Sequence, residues 1–338
     1  MHAQIHLPHA PSIPGLRFRP FRGESDYPLM AAAVALSAEA DQVERVTTVE
    51  DIAETYAHLQ NCNPAQDMIF AEIEGEVIGY SRLWWHAEDG EGPYLYSFIG
   101  FLVPAWRRKG IGTAILRWIE TRARAIAQDH PAERPKYFQG FVTQSETGLA
   151  ALFAKEGYTI TRVSYEMVRP TLDDLPQFPL PEGVEVRPVL PEHYRAIWEA
   201  SNEAFQDHWG FFPPTEADYQ EWLNDKNLFQ PDLWQIAWDV ETNQIAGQVR
   251  TFIAHALNEK YGRKRGYTEF ISVRRPWRKR GLARALIALS LQTQKAHGMT
   301  ESMLGVDSEN LSGATRIYEA CGFRVVKRNA IYRKDLVK

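Results

Sequence analysis

The residues best suited to chemistry lie in two short basic loops, "RRKGIG" at Arg107–Gly112 and "RKRGLA" at Arg278–Ala283, 171 residues apart. Each opens a run of helix formers. A helix begins with backbone N–H groups that lack an internal partner and with the positive end of its dipole. Glycine lets the chain turn tightly there and lets a phosphate approach the main chain. In the second loop Arg278, Lys279 and Arg280 add charge at the same end. The chemistry this predicts is the holding of a diphosphate, twice. The plain alternative is a basic surface turn capping a helix, which two copies with the same flanks make less economical.

Three phosphate-binding patterns compete for these loops. A P-loop needs Lys-Ser/Thr after its last glycine, whereas Leu282-Ala283 and Ile111-Gly112 stand here. A dinucleotide fingerprint needs a third Gly or Ala at fixed spacing, which Ala114 and Ala285 miss. What remains is Arg-x-x-Gly-x-Gly/Ala, met by Arg107-Gly110-Gly112 and by Arg278-Gly281-Ala283.

The elements that must position the loops are also duplicated. "GLRFRP" at Gly15 answers "GVEVRP" at Gly183, and Gly79 in "EGEVIGYSRL" answers Gly247 in "TNQIAGQVRT", both 168 residues apart. Gly157-Tyr158 and Gly322-Phe323 follow at 165. Four landmarks in one order mark a duplicated domain, with the drift in loops. The expected division is a flexible leader over 1–14, a first domain over 15–168, a linker over 169–183 and a second domain over 184–338. The proline- and acid-rich "RPTLDDLPQFPLPEG" reads as a stiff, solvated linker.

Within the second copy, "VEVRPV" alternates like a strand and "EHYRAIWEASNEAF" has helical spacing. "WQIAWDVETNQIAGQVRTFI" reads as two strands around a turn at Thr242-Asn243, and "YTEFISV" as a strand. "LARALIALSLQTQKAHG" reads as a helix with Leu282, Leu286 and Leu289 on one face and Gly298 as its stop. "TESMLGV" is a strand, "SGATRIYEAC" a helix and "FRVVKRNAIY" a closing strand pair. Each copy is therefore predicted as an α/β (α+β) unit, a mixed and mostly antiparallel sheet flanked by helices.

The bulk numbers bound the rest. A chain of 338 residues with 44% apolar residues supports two cored domains. A net charge of −5 argues against a dedicated nucleic-acid binder. Cys62 and Cys321 have no metal-type spacing, so neither a zinc site nor a disulfide framework is expected, and a cytoplasmic setting fits. No apolar run is long enough for a membrane span, and "MHAQIHLPHAPSIPG" does not read as a signal peptide.

With the paired loops and the later "N…YEACGF" element (Asn310, Tyr318, Glu319, Gly322, Phe323), the chain resembles the GCN5-related N-acetyltransferase (GNAT) superfamily, in the tandem, mycothiol synthase-like layout. The resemblance covers nearly the whole chain. It implies acetyl-coenzyme A as cofactor and a small-molecule amine as acceptor. It further implies that the diphosphate is held by Arg278, Lys279, Arg280, Gly281, Leu282, Ala283 and Arg284, and in the first copy by Arg107, Arg108, Lys109, Gly110, Ile111, Gly112 and Thr113 with Leu102. Ile271, Ser272 and Val273 would pair with the pantetheine arm as an added strand does. By the same resemblance Asn310 hydrogen-bonds that arm, Glu269 is the general base and Tyr318 the general acid.

Acyl transfer to an amine needs a neutral amine, a donor for the carbonyl oxygen, an acid for the thiolate and alignment of the reactants. At the matching positions of the first copy stand Phe98, Phe153 and Ser145 in place of Glu269, Tyr318 and Asn310. The first module is thus expected to keep the loop without the catalysis. Ordinary roles compete: a solvated strand carboxylate for Glu269, a packing ring for Tyr318, a small buried hydrophobe for Cys321. On the acceptor side, Asp207, His208 and Trp209 in "NEAFQDHWGFFPP" could hold a polar amine, against a packed, proline-ended loop. A coenzyme A-sensing protein without catalysis is the rival function, and a nucleic-acid contact through "RRPWRKR" a remote third. Monomer and homodimer are both compatible with the sequence, and the acceptor is left open.

Overall fold

The computed structural model describes residues 4–309 and 313–336, which form two compact units. The first unit comprises residues 1–162 with 329–338, the second residues 163–328.

In chain order the elements of the first copy are β1 (Leu16–Arg19), α1 (Tyr27–Ala40), α2 (Val49–Ala57), α3 (Pro64–Asp67), β2 (Met68–Ile73), β3 (Glu76–Ala87), β4 (Tyr94–Leu102), α4 (Ile111–Ala127), β5 (Lys136–Thr143), α5 (Thr147–Lys155) and β6 (Thr159–Arg169). The second copy has β7 (Val184–Arg187), α6 (Tyr194–Phe205), α7 (Glu216–Asn224), β8 (Gln235–Asp239), β9 (Ile245–Phe252), α8 (His255–Lys260), β10 (Arg265–Val273), α9 (Leu282–Ala296), β11 (Glu301–Asp307), α10 (Ala314–Ala320) and β12 (Arg324–Asp335), the same plan except that its extra helix α8 follows β9 where the first copy's α3 precedes β2. Both units are mixed α/β with a mostly antiparallel sheet, as the repeat analysis predicts. Each sheet has one parallel pair between consecutive strands, β4 with β5 and β10 with β11.

The physical units depart from the repeat boundaries because the closing strands are exchanged. Residues 329–335 of β12 pair with β5 in the first unit, and residues 164–169 of β6 pair with β11 in the second. "FRVVKRNAIY" is one uninterrupted strand, not a pair, since no Gly or Pro between Val326 and Tyr332 turns the chain.

Two further expectations are corrected. The 1–14 leader is not loose over its described part: Ile5 N–H bonds to the Phe18 carbonyl at 2.8 Å, and Leu7 is buried with Ile5, Ala10 and Ile13 against the core. Nor is 169–183 a solvated linker, because Leu172 is buried in the second core with Leu175, Phe178 and Leu180 packed beside it. In both segments, spaced apolar residues give an irregular chain a face to bury.

The amphipathic helices α4 and α9 hold the loops in place. Ile111, Ile115 and Ile119 of α4, and Leu282, Leu286 and Ile287 of α9, lie in the respective cores. The repeated glycines have a steric cause: a Cβ on Gly247 would sit 2.8 Å from the Ser272 carbonyl oxygen, and one on Gly79 only 2.5 Å from that of Phe101. These glycines let the neighbouring strands β10 and β4 come close. Gly247→Ala is expected to destabilise the protein by about 1–3 kcal/mol through overpacking, read as a lower urea midpoint. Among the described residues no helix is long and apolar enough to cross a membrane.

Candidate active site

In the second unit β10 and β11 pair only from Arg265–Tyr267 to Glu301–Met303. Beyond that they diverge, and among the described residues one edge of β10 has no strand partner. A register shift between Glu269 and Ser272 interrupts the pairing of β10 with β9, and Phe270 adopts φ +51°. This bulge falls in the segment to which the family resemblance assigns the base and the pantetheine-pairing residues. In the first unit β3 pairs with β4 continuously from Gly79–Leu102 to Ala87–Tyr94, with no bulge.

The loops that follow these strands share one conformation. Lys279 and Gly281 have φ of +63° and +84°, and Arg108 and Gly110 have +61° and +87°. Left-handed non-glycine residues cost free energy, and alternating left-handed turns orient successive N–H groups into an anion-binding concavity. The glycine then caps a helix of 15 residues (α9) or 17 residues (α4). Lys279, Arg280 and Arg284 are exposed around the second loop, while the Leu282 side chain turns into the core and leaves its main chain at the helix start.

The leading arginines are braces. Arg278 Nε donates to the Val273 carbonyl at 3.0 Å, Nη2 to the Ala204 carbonyl at 3.1 Å and Nη1 to Asp207 at 2.8 Å. Arg107 does the same with the Leu102 carbonyl at 2.8 Å and Asp41 at 2.6 and 2.9 Å. Both guanidinium groups tie the strand end to the first helix region, so each fixes loop shape.

Glu269 is half-buried on β10, and its Oε1 accepts a 2.7 Å hydrogen bond from the Gly305 N–H of β11. Burial pushes its carboxyl up to about 8, with the Glu166 charge adding to the shift and the Gly305 bond opposing it. Tyr318 is buried on α10. Its hydroxyl is held far above the usual range by burial first and then by the Glu269 charge, which makes the two groups electrostatic neighbours. Cys321, fully buried, has its thiol pushed up to about 11 by desolvation, as suits an inert packing residue. Asn310 lies outside the described residues.

The first unit has an aromatic plug at the corresponding place. Phe98 and Phe153 meet edge to face at 5.7 Å, Tyr158 stacks on Phe153 at 4.9 Å, and a Cβ on Gly140 would lie 2.5 Å from the Phe153 ring. Gly140 corresponds to Gly305, whose N–H holds Glu269.

The acceptor-side expectation changes. Asp207 is bound by Arg275 and Arg278, whose hydrogen bonds hold its carboxyl far below the usual range. It acts as the counter-ion of the loop brace and is not free for an amine. His208 is exposed with its ring against Phe205 at 4.5 Å, and Trp209 is half-buried. A residue the sequence did not single out stands across from Glu269 on β9. Arg250, only 5% exposed, is the register partner of Glu269, and its guanidinium lies 4.0 Å from the Phe270 ring centre. An arginine inside the apolar strand "IAGQVRTF" was the available signal. Among the described residues no group of three or more His, Cys, Asp or Glu is placed to hold a metal.

A mostly antiparallel sheet whose parallel strands splay beside an anion-binding helix start is an acyltransferase architecture, and this chain has it twice. Residues 194–323 match the acetyltransferase (GNAT) family and residues 64–160 the acetyltransferase (GNAT) domain. The chain belongs to the GNAT family and is a tandem N-acetyltransferase. It is 30% identical over 281 residues to mycothiol acetyltransferase of Salinispora arenicola, covering 80% of this chain and 82% of the relative. To the Salinispora tropica protein of the same name it is 31% identical, covering 77% and 78%. A solved GCN5-related N-acetyltransferase from Sphaerobacter thermophilus superposes with a TM-score of 0.70 at 26% identity, covering 95% and 96%. A tandem GNAT protein from the clavulanic acid biosynthesis pathway shares the fold at 17% identity, with a TM-score of 0.65 and 95% and 98% covered.

Proposed function

We propose that the chain transfers acetyl from acetyl-coenzyme A to a primary amine of a small-molecule acceptor, with both reactants bound together and the chemistry in the second unit. One observation carries this reading. Glu269 and Tyr318 are electrostatic neighbours beside the splayed strands of the second unit, where the first unit has Phe98 and Phe153.

The residues present suit the cofactor. The concave main chain at Arg280–Ala283 would hold the diphosphate, and the open edge of β10 at Ile271–Val273 would pair with the pantetheine arm. Bound there, coenzyme A supplies an activated acetyl thioester. Glu269 takes the proton of the attacking amine, directly or through water. Tyr318 keeps its Oη proton at working pH and serves as the acid for the leaving group. The first unit keeps the loop, and its plug replaces the proton-handling pair.

The test is acetylation of an amine panel with acetyl-coenzyme A, read by mass spectrometry. The name of the relatives puts the mycothiol-type acceptor first in the panel. Thioester hydrolysis that no amine stimulates would sink the transferase reading. Matched loop variants locate the chemistry: Gly281→Asp should lower kcat/KM for acetyl-coenzyme A by roughly tenfold or more, because a carboxylate replaces an anion cradle. Gly110→Asp should leave it within about twofold. The reverse pattern would move the catalysis to the first unit.

A further inference from the structure

Among the described residues Arg250 is a cation without a counter-ion. Its Nε and Nη1 are buried and donate to no partner, and among the described residues no carboxylate forms an ion pair with it. Its surroundings are rings: Phe270 at 4.0 Å, Trp222 at 5.4 Å and Trp234 at 5.9 Å from the guanidinium carbon. Ring faces attract a cation, yet they leave its in-plane N–H groups unanswered. Burying such donors without acceptors is costly, and a buried charge is normally paired. Gln248, two residues earlier on the same face, uses its Nε2 on the Ile197 carbonyl of α6 at 3.0 Å, while its Oε1 is also buried without a partner among the described residues.

The position of Arg250 is as informative as its lack of partners. Its Cα is the register partner of Glu269, so the two lie about 4.5–5.5 Å apart across neighbouring strands. The bulge that follows Glu269 brings Phe270 over the guanidinium. Arg250 and Glu269 are therefore neighbours along the backbone of two adjoining strands.

We propose that Arg250 receives the carboxylate of the acceptor, and that the acceptor is an amino acid whose carboxylate sits on the carbon next to the reacting amine. This rests on the transferase reading above and narrows its substrate class. The carboxylate supplies the acceptors that Nε and Nη1 lack, and its charge pairs with the guanidinium in a site walled by Phe270, Trp222 and Trp234. Arginine matches a carboxylate better than lysine does, because its planar donors are fixed.

The experiment compares the proteinogenic amino acids with their carboxamides as acceptors, in the wild type and in Arg250→Met and Arg250→Lys. The wild type should prefer the carboxylate member of its best pair by about 10- to 100-fold in kcat/KM, the range for a hydrogen bond to a charged group. Arg250→Met should bring that ratio within about threefold while the carboxamide rate persists, and Arg250→Lys should retain part of the preference. A wild type that uses the carboxamide equally well would overturn the proposal, whether or not the variants fold. Equal loss on both members in folded Arg250→Met would overturn it too. If no amine is acetylated, the transferase reading fails. The inference is then judged by calorimetric titration of the same pairs in the presence of coenzyme A. Carboxylate-dependent binding lost in Arg250→Met sustains it, and absence of such binding ends it.

Discussion

Replacing Tyr318 with phenylalanine is expected to lower kcat by about 100-fold or more, the usual worth of a positioned acid, while the KM for acetyl-coenzyme A stays within about threefold. The substitution removes one oxygen and keeps the ring in the second core, where Tyr318 packs with Ala314, Cys321 and Phe323. The loop at Gly281 and the open edge of β10 are untouched, so cofactor binding survives. Burial and the nearby Glu269 charge keep the hydroxyl protonated throughout the working range. The wild type should accordingly show no falling limb from this group at moderately alkaline pH. The first unit holds the natural counterpart, with Phe153 at the matching helix position and 2% exposed. Steady-state rates and acetyl-coenzyme A titration of the folded variant decide the matter. Unchanged turnover would remove Tyr318 from the reaction.

Local sequence carried most of the fold because the repeats are held by local signals. The glycine caps at Gly110 and Gly281 and the apolar faces of α4 and α9 are readable from spacing alone. Gly79 and Gly247 were legible as landmarks, but their cause, a carbonyl oxygen on the next strand, is a tertiary contact. The same limit hid the exchange of closing strands. Nothing in "RVVKRNAIYRKD" says which sheet its second half joins. The leader and linker read as loose since their apolar residues follow neither helical nor strand period, and only the finished cores show what Leu7 and Leu172 bury.

The site was legible to a similar depth. Glu269 and Tyr318 could be set against Phe98 and Phe153 by counting from the loops, and Glu269 and Phe98 lie on β10 and β4 beyond the stretches where those strands pair with β11 and β5. Asp207 misled because an exposed acid in an aromatic loop looks free until the arginines that claim it are seen. Arg250 was passed over for the opposite reason. In a strand pattern it reads as one polar position, and its want of a counter-ion among the described residues becomes visible only in the folded chain.

Glu269→Gln is expected to remove the pH dependence of the chemical step. Burial raises the Glu269 carboxyl to about 8, so the group is mostly protonated at pH 7 and gains base character as pH rises through that value. In the wild type kcat/KM should climb with pH and level off above about 8. The glutamine variant should lose this limb and fall furthest below the wild type at pH 8–9, by about 100-fold or more. The amide oxygen can still accept the Gly305 N–H, so the splayed strands keep their shape. Stability should move the other way. A carboxyl whose folded pKa lies above its unfolded value of about 4.3 binds more protons when folded. It therefore costs stability progressively as pH rises from the unfolded value through the folded one. Thermal melts should show Glu269→Gln gaining on the wild type between pH 5 and pH 9. A variant with an intact alkaline rise in rate would assign the limb to the free amine of the acceptor and deprive Glu269 of its role as base.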